Sequence, residues 1–230
     1  MNYLAHGYRF LERPLYVAGT AVPDWLSVAD RRTRVRTRLI LAAIPGLSGD
    51  EQTLAEGMLQ HLEDDDRFHR SPVFMMLESE IGARFRTIMP DPFDHRPGFL
   101  GHILTELLLD AVIAERQPEI LRHYYQALQD VCPLSIQRTV NCVSARPTER
   151  LAGFVAQFRE VEFLYDYLDD ERLLHRLNQV LRRVKLQPVD EQAIPFVRDS
   201  RSLLRRYGED LLQPVELRYE AVSAGVSCSD

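Results

Sequence analysis

Apolar residues recur three and four positions apart along almost the whole of this chain. That period builds one apolar stripe on an α-helix and gives a β-strand no consistent core side. Leu54, Met58 and Leu62 follow it, as do Phe74, Leu77, Ile81 and Phe85, and again Phe154, Phe158, Val161, Leu164 and Leu168. Helix-start chemistry stands where each run begins. Ser48 precedes Glu51 by three residues, the spacing of a capping box. Ser71-Pro72, Pro97, Pro147-Thr148-Glu149 and Asp169-Asp170-Glu171 read the same way. Arg31 to Ile44 reads as a helix stopped by Pro45-Gly46, and Asp190 to Tyr207 as a last one. Gly19 and Pro23 read as breaks, with Asp24 as a cap after them. Pro90-Asp91-Pro92 is a loop. Val215 to Val222 alternates weakly, as a short strand or extended tail would. The expectation is an all-α fold: one bundle-like domain of about eight to ten helices over 1–223, a metal site between helices, and a flexible tail over 224–230.

Composition narrows the function classes. The chain has 230 residues, enough for one sizeable core, and a formal charge of −6 from 34 acidic against 28 basic side chains. That balance opposes a nucleic-acid binder held by overall charge. Arginine supplies every basic side chain except Lys185. No run of about 18 apolar residues is present, so no membrane-spanning helix is expected. The opening MNYLAHGYRF lacks the basic start and apolar core of a secretory signal. Cys132, Cys142 and Cys228 have neither metal-knuckle nor disulfide-framework spacing. A cytoplasmic location is the expectation these features share.

Histidine is distributed unevenly: five of seven lie within the first 102 residues. His61, Asp65 and His69 stand at i, i+4 and i+8, one slanting stripe on a helix. His102, Glu106 and Asp110 repeat that spacing among Leu100, Ile103, Leu104, Leu107, Leu108 and Leu109. Ionisable groups in so apolar a helix are costly unless paired or metal-bound. His-xxx-Asp facing His-xxx-Glu is how helical bundles build metal sites. A solvated face is the plain alternative for either stripe, above all where Asp65 sits in the acidic run Glu63-Asp64-Asp65-Asp66.

Several phrases resemble the acyl carrier protein phosphodiesterase family. Met1-Asn2-Tyr3-Leu4-Ala5-His6 is similar to its opening. Gly19-Thr20-Ala21-Val22-Pro23-Asp24-Trp25 resembles its Gly-Asn…Asp-Phe segment, and Gly57…His61…Asp65…Phe68 its Gly…His-xxx-Asp-x-Phe segment. The resemblance covers roughly the first 115 residues. The order of the ligands also resembles zinc-dependent phospholipase C and P1-type nucleases. Tyr8 and Ala111 occupy positions where the family carries histidine. The resemblance implies an all-helical, metal-dependent enzyme that cleaves the phosphodiester between phosphopantetheine and a serine of acyl carrier protein.

The expected function is therefore metal-dependent phosphodiester hydrolysis. His6, Asp24, His61, Asp65, His69, His102 and Glu106 would hold one or two divalent cations. Asp65 would bridge them, and Asp110 or Asp64 would orient water or protonate the leaving oxygen. The mixed donors suit Zn²⁺, Mn²⁺, Fe²⁺ or Ni²⁺. The rival expectation is a catalytically inactive helical module that binds metal or a protein partner. A carboxylate–histidine iron oxidoreductase would want paired Glu-xx-His motifs, which the chain lacks.

Overall fold

The computed structural model describes residues 1–88 and 96–223, from 213 onward in backbone only. The 90–92 loop, His95, Cys228 and the 224–230 tail lie outside the described residues. The fold is all-α. Its helices are α1 (Tyr3–Gly7), α2 (Pro14–Ala29), α3 (Thr37–Ala43), α4 (Gly49–Arg70), α5 (Pro72–Ile88) and α6 (Pro97–Arg116). They continue as α7 (Ile120–Gln129), α8 (Pro133–Val143), α9 (Leu151–Val161), α10 (Asp170–Arg183) and α11 (Ile194–Ser223). Among the described residues the β pairing is one isolated antiparallel bridge, Val35 to Ser144.

Local chemistry sets many of these boundaries. The Glu51 carboxylate accepts from the Ser48 N–H and hydroxyl at 2.9 Å each, and the Glu51 N–H donates back to Ser48 Oγ at 3.4 Å. This is the expected capping box. Asp169 accepts from the Arg172 N–H at 2.9 Å and starts α10. Pro14, Pro72, Pro97 and Pro133 each stand first in a helix, where a missing N–H loses no bond.

Four expectations are corrected. The α2 helix runs on through Gly19 and Pro23, which makes Asp24 an interior residue and not a cap. Its face of Val17, Ala18, Ala21, Val22, Trp25 and Leu26 is almost fully buried. That burial outweighs the roughly 3 kcal/mol that an interior proline costs. The long helix expected from Pro147 to Leu168 stops at Val161, and Glu162 turns left-handed at φ 46° before a 3-10 turn over Phe163–Leu168. Packing forces the break: the Phe163 ring lies 5.2 Å from Phe158 and 5.8 Å from Tyr3, and the Leu164 N–H donates to the buried Tyr125 hydroxyl at 3.0 Å. Residues 31–36 are not helical; Thr33 and Val35 are buried between exposed arginines, and helix begins only at Thr37. Val215 to Val222 belongs to α11.

The chain divides into two compact units, Met1–Asp64 with Ile113–Tyr165, and Asp65–Val112 with Asp166 onward. Two of the three divisions fall inside the continuous helices α4 and α6 and the third inside the 3-10 turn over Phe163–Leu168, so no linker marks them in the sequence. The first unit is centred on Trp25, Phe158, Tyr3 and Tyr125, with the Trp25 and Phe158 rings 5.4 Å apart. The second is centred on Phe68 against Phe74 at 4.5 Å and on Phe85 against Phe196 at 4.3 Å. The α6 helix is long and apolar enough to span a membrane by length and composition, at a mean hydropathy of 1.4, but 67% of that stretch is buried inside the protein. It is the buried core helix its sequence predicted.

Candidate metal centre

The predicted residues gather into two groups. The first begins with a close helix crossing. A Cβ on Gly19 would collide with the Leu54 carbonyl and come within 2.9 Å of the Gly57 Cα, and one on Gly57 would collide with the Tyr16 carbonyl. Only glycine lets the two backbones approach this far. The approach sets His61, one turn after Gly57, against α2, where His61 Nδ1 meets the Thr20 carbonyl at 2.7 Å. A carbonyl only accepts, so Nδ1 carries the proton and Nε2 is the basic nitrogen. The His6 ring stacks on His61 at 3.8 Å and 24°. Both histidines are buried, at 1% and 2% exposure.

Asp64 completes this arrangement. It is 1% exposed, takes a hydrogen bond from Gln60 at 2.7 Å, and turns Oδ2 to within 3.7 Å of His6 Nδ1. That Oδ2 is a buried carboxylate oxygen with no hydrogen-bond donor on it. A buried oxygen in that state calls for a hydrogen-bond donor or a positive charge. Asp65, the next residue on α4, is half-buried, and its carboxylate forms with His6 and His61 a set of ligand atoms within 4.8 Å of one another. The i, i+4 rule singled out Asp65. Asp64 stands at i+3 from His61 and four residues before the buried Phe68, so it shares the core-facing side as well.

The second group lies in the second unit and again depends on glycine. A Cβ on Gly101 would collide with the Glu78 carbonyl and come within 2.8 Å of the Gly82 nitrogen. Helices α5 and α6 therefore cross in backbone contact, which places His102 beside Glu78. His69, on the last turn of α4, approaches from the other side. His69 Nε2 lies 3.2 Å from Glu106 Oε1, and His102 Nε2 lies 3.3 Å from the same oxygen. The two imidazoles stack at 4.8 Å and 24°, and the Phe74 ring meets both edge-on at about 5 Å. The ligand atoms of His69, His102 and Glu106 all lie within 4.8 Å of one another.

This donor set fits a transition-metal ion. Bonds of 2.0–2.1 Å in a tetrahedron separate neighbouring ligand atoms by roughly 3.3 Å. Both nitrogen–carboxylate separations are already at that value. His102 is pushed down by burial and pulled up more strongly by its hydrogen bond and charge contact with Glu106, helped by Glu78, so its pKa lies above the ordinary histidine value.

Asp24 and Asp110 lie outside the two sets of mutually close ligand atoms. Asp24 stands one turn beyond Thr20 on α2, with Oδ2 enclosed by protein. Asp110 stands one turn beyond Glu106 on α6 and is 1% exposed. Glu78, bound to His102 Nδ1 at 3.3 Å, was not among the residues expected from sequence. Its signal was indirect: Glu78 precedes Gly82 by one turn and His102 follows Gly101, and two small residues mark where helices can approach. No family model, no curated protein and no solved structure matches this chain.

Proposed function

We propose that this protein is a divalent-metal-dependent phosphodiesterase of the helical type. The observation that carries the reading is the meeting of His69, His102 and Glu106, from two helices far apart in sequence, at metal-ligand spacing. Zn²⁺, Mn²⁺, Fe²⁺ or Ni²⁺ would suit these donors. A bound ion would supply Lewis-acid polarisation of a phosphoryl oxygen and a water with its pKa lowered to about 7. His69, His102 and Glu106 would hold it, and His6, His61, Asp64 and Asp65 would hold a second. Asp110, buried one turn beyond Glu106, would orient the attacking water or carry the proton to the leaving oxygen. The sequence resemblance points to a phosphopantetheinyl acyl carrier protein as the phosphodiester substrate, in the cytoplasm. Metal analysis of gently purified protein and hydrolysis of bis-p-nitrophenyl phosphate before and after chelation test this. Metal-dependent turnover lost in His102→Ala supports it. Protein that holds no metal and gives no turnover with added Mn²⁺ or Zn²⁺ refutes it.

One observation favours a second reading, a catalytically inactive helical module. The second cluster closes on itself: Glu106 Oε1 meets both histidines and Glu78 meets His102. A polar network satisfied in this way can serve to fix the packing of α4, α5 and α6 alone. Turnover of bis-p-nitrophenyl phosphate by the metal-loaded protein separates the two.

A further inference from the structure

We infer that Glu78 is a positioning residue for the metal centre, setting His102 as a ligand through Nε2. The inference rests on the proposed metal site at His69, His102 and Glu106. His102 has two ring nitrogens with different partners: Nε2 faces Glu106 Oε1 at 3.3 Å, and Nδ1 faces Glu78 Oε1 at 3.3 Å. Only the Nε2 side also carries His69 Nε2, which meets the same Glu106 oxygen at 3.2 Å. The ligand atoms therefore converge on the Nε2 side. A carboxylate on the opposite nitrogen accepts the Nδ1 proton, selects the tautomer whose lone pair lies on Nε2, and fixes the ring plane. Carboxylate–histidine–metal chains of this form raise ligand basicity, and losing the outer carboxylate typically costs about 10–100-fold in metal affinity.

The backbone holds Glu78 in place for this. It stands one turn before Gly82 on α5, and the Gly82–Gly101 contact sets that turn against the start of α6. The Phe74 ring, one turn earlier on α5, lies edge-on to His102 at 5.0 Å and limits the other rotations of the imidazole. The α5 helix thus supplies both an acceptor and a wall to a histidine on α6. His61 is held by the same device in the other group, with the Thr20 carbonyl as acceptor at 2.7 Å.

The test is isothermal titration of the metal-stripped full chain with Zn²⁺, in the wild type, Glu78→Ala and Glu78→Gln, followed by Co²⁺ loading and visible spectra. Glu78→Ala should weaken one class of site about 10–100-fold and alter the Co²⁺ d–d band. Glu78→Gln keeps a carbonyl oxygen that accepts the Nδ1 proton, so it should recover most of the affinity. Zn²⁺ affinity unchanged in Glu78→Ala overturns the positioning role. Complete loss of a site in both variants also overturns it, because Glu78 would then be a ligand itself. A wild type that takes up no metal overturns the metal reading and this inference with it, and the wild-type titration alone distinguishes that outcome.

Discussion

Replacing Gly101 with alanine tests the role of the α5–α6 crossing directly. The added methyl would meet the Glu78 carbonyl oxygen inside contact distance, the Gly82 nitrogen at 2.8 Å and the Gly82 Cα at 3.2 Å. All three are backbone atoms and none can rotate away. The helices must separate by roughly 1 Å to restore ordinary van der Waals spacing. Overpacking of this kind costs about 1–3 kcal/mol. Against it stands the gain of about 0.5–1 kcal/mol that alanine gives over glycine inside a helix. The balance is a net loss. Gly153 supplies the control, because its substituent would meet nothing within 4 Å on α9. Gly153→Ala should therefore raise stability by about 0.5–1 kcal/mol. Urea or thermal unfolding reads both, with roughly 2–4 °C in Tm for each kcal/mol at this chain length. Because His102 follows Gly101 directly, Gly101→Ala should also weaken Zn²⁺ uptake, whereas Gly153→Ala should not. Equal stabilisation by both substitutions would refute the claim that the backbones are in contact.

Other predictions follow from single groups. His69→Ala should lower Zn²⁺ uptake at the second cluster, measured by metal analysis after dialysis, while His175→Ala should leave it as in the wild type; equal uptake in all three would remove His69 from the ligand set. Asp30 closes α2, and burial pushes its carboxyl up while the Arg32 N–H at 3.2 Å and the Thr148 hydroxyl at 3.2 Å pull it lower overall, below its ordinary value of 3.8. A carboxylate so lowered adds stability that is complete above about pH 4 and is lost as pH falls through its folded value. Asp30→Asn should therefore be less stable at neutral pH and show a flatter acid limb in pH-dependent unfolding; an unchanged acid limb would contradict this. The Cys132 thiol, exposed beside a cavity of about 420 Å³, is pulled below its ordinary pKa by the N–H and hydroxyl of Ser135 and the N–H of Leu134 at the start of α8. It should be carbamidomethylated before the exposed Cys142 at neutral pH, as peptide mass spectrometry would show; the reverse order would refute the helix-start explanation.

Much of the fold is legible locally. The Ser48–Glu51 pair, Asp169 and the leading prolines fix helix starts through hydrogen bonds within three or four residues, and sequence displays such bonds in full. The helix breaks that depend on distant partners are not legible. Nothing near Glu162 announces a left-handed residue; the cause is Phe163 seeking Phe158 and Tyr3, and Leu164 reaching the Tyr125 hydroxyl. Pro23 looked like a terminator because local sequence cannot show how much apolar surface α2 buries on both sides of it. The site divides in the same way. Helical spacing selected His61, Asp65, His69, His102 and Glu106. It joined them into one facing pair of stripes, whereas His61 meets His6 and His69 meets His102. His61 and His69 stand eight positions apart, about 12 Å along the helix axis, too far to share one ion.

The sequence by itself determined that this chain is helical, where most of its helices begin, and which histidines and carboxylates share a helix face. These follow from periodicity and short-range hydrogen bonding. Only the tertiary structure decided which faces meet. The Gly19–Gly57 and Gly82–Gly101 contacts bring backbones into touch at points no spacing rule specifies. Those contacts buried Asp64 beside His6, seated Glu78 on His102 and divided most of the expected ligands into two groups. A helix displays its own face in sequence, but the partner of that face is chosen by packing over the whole chain.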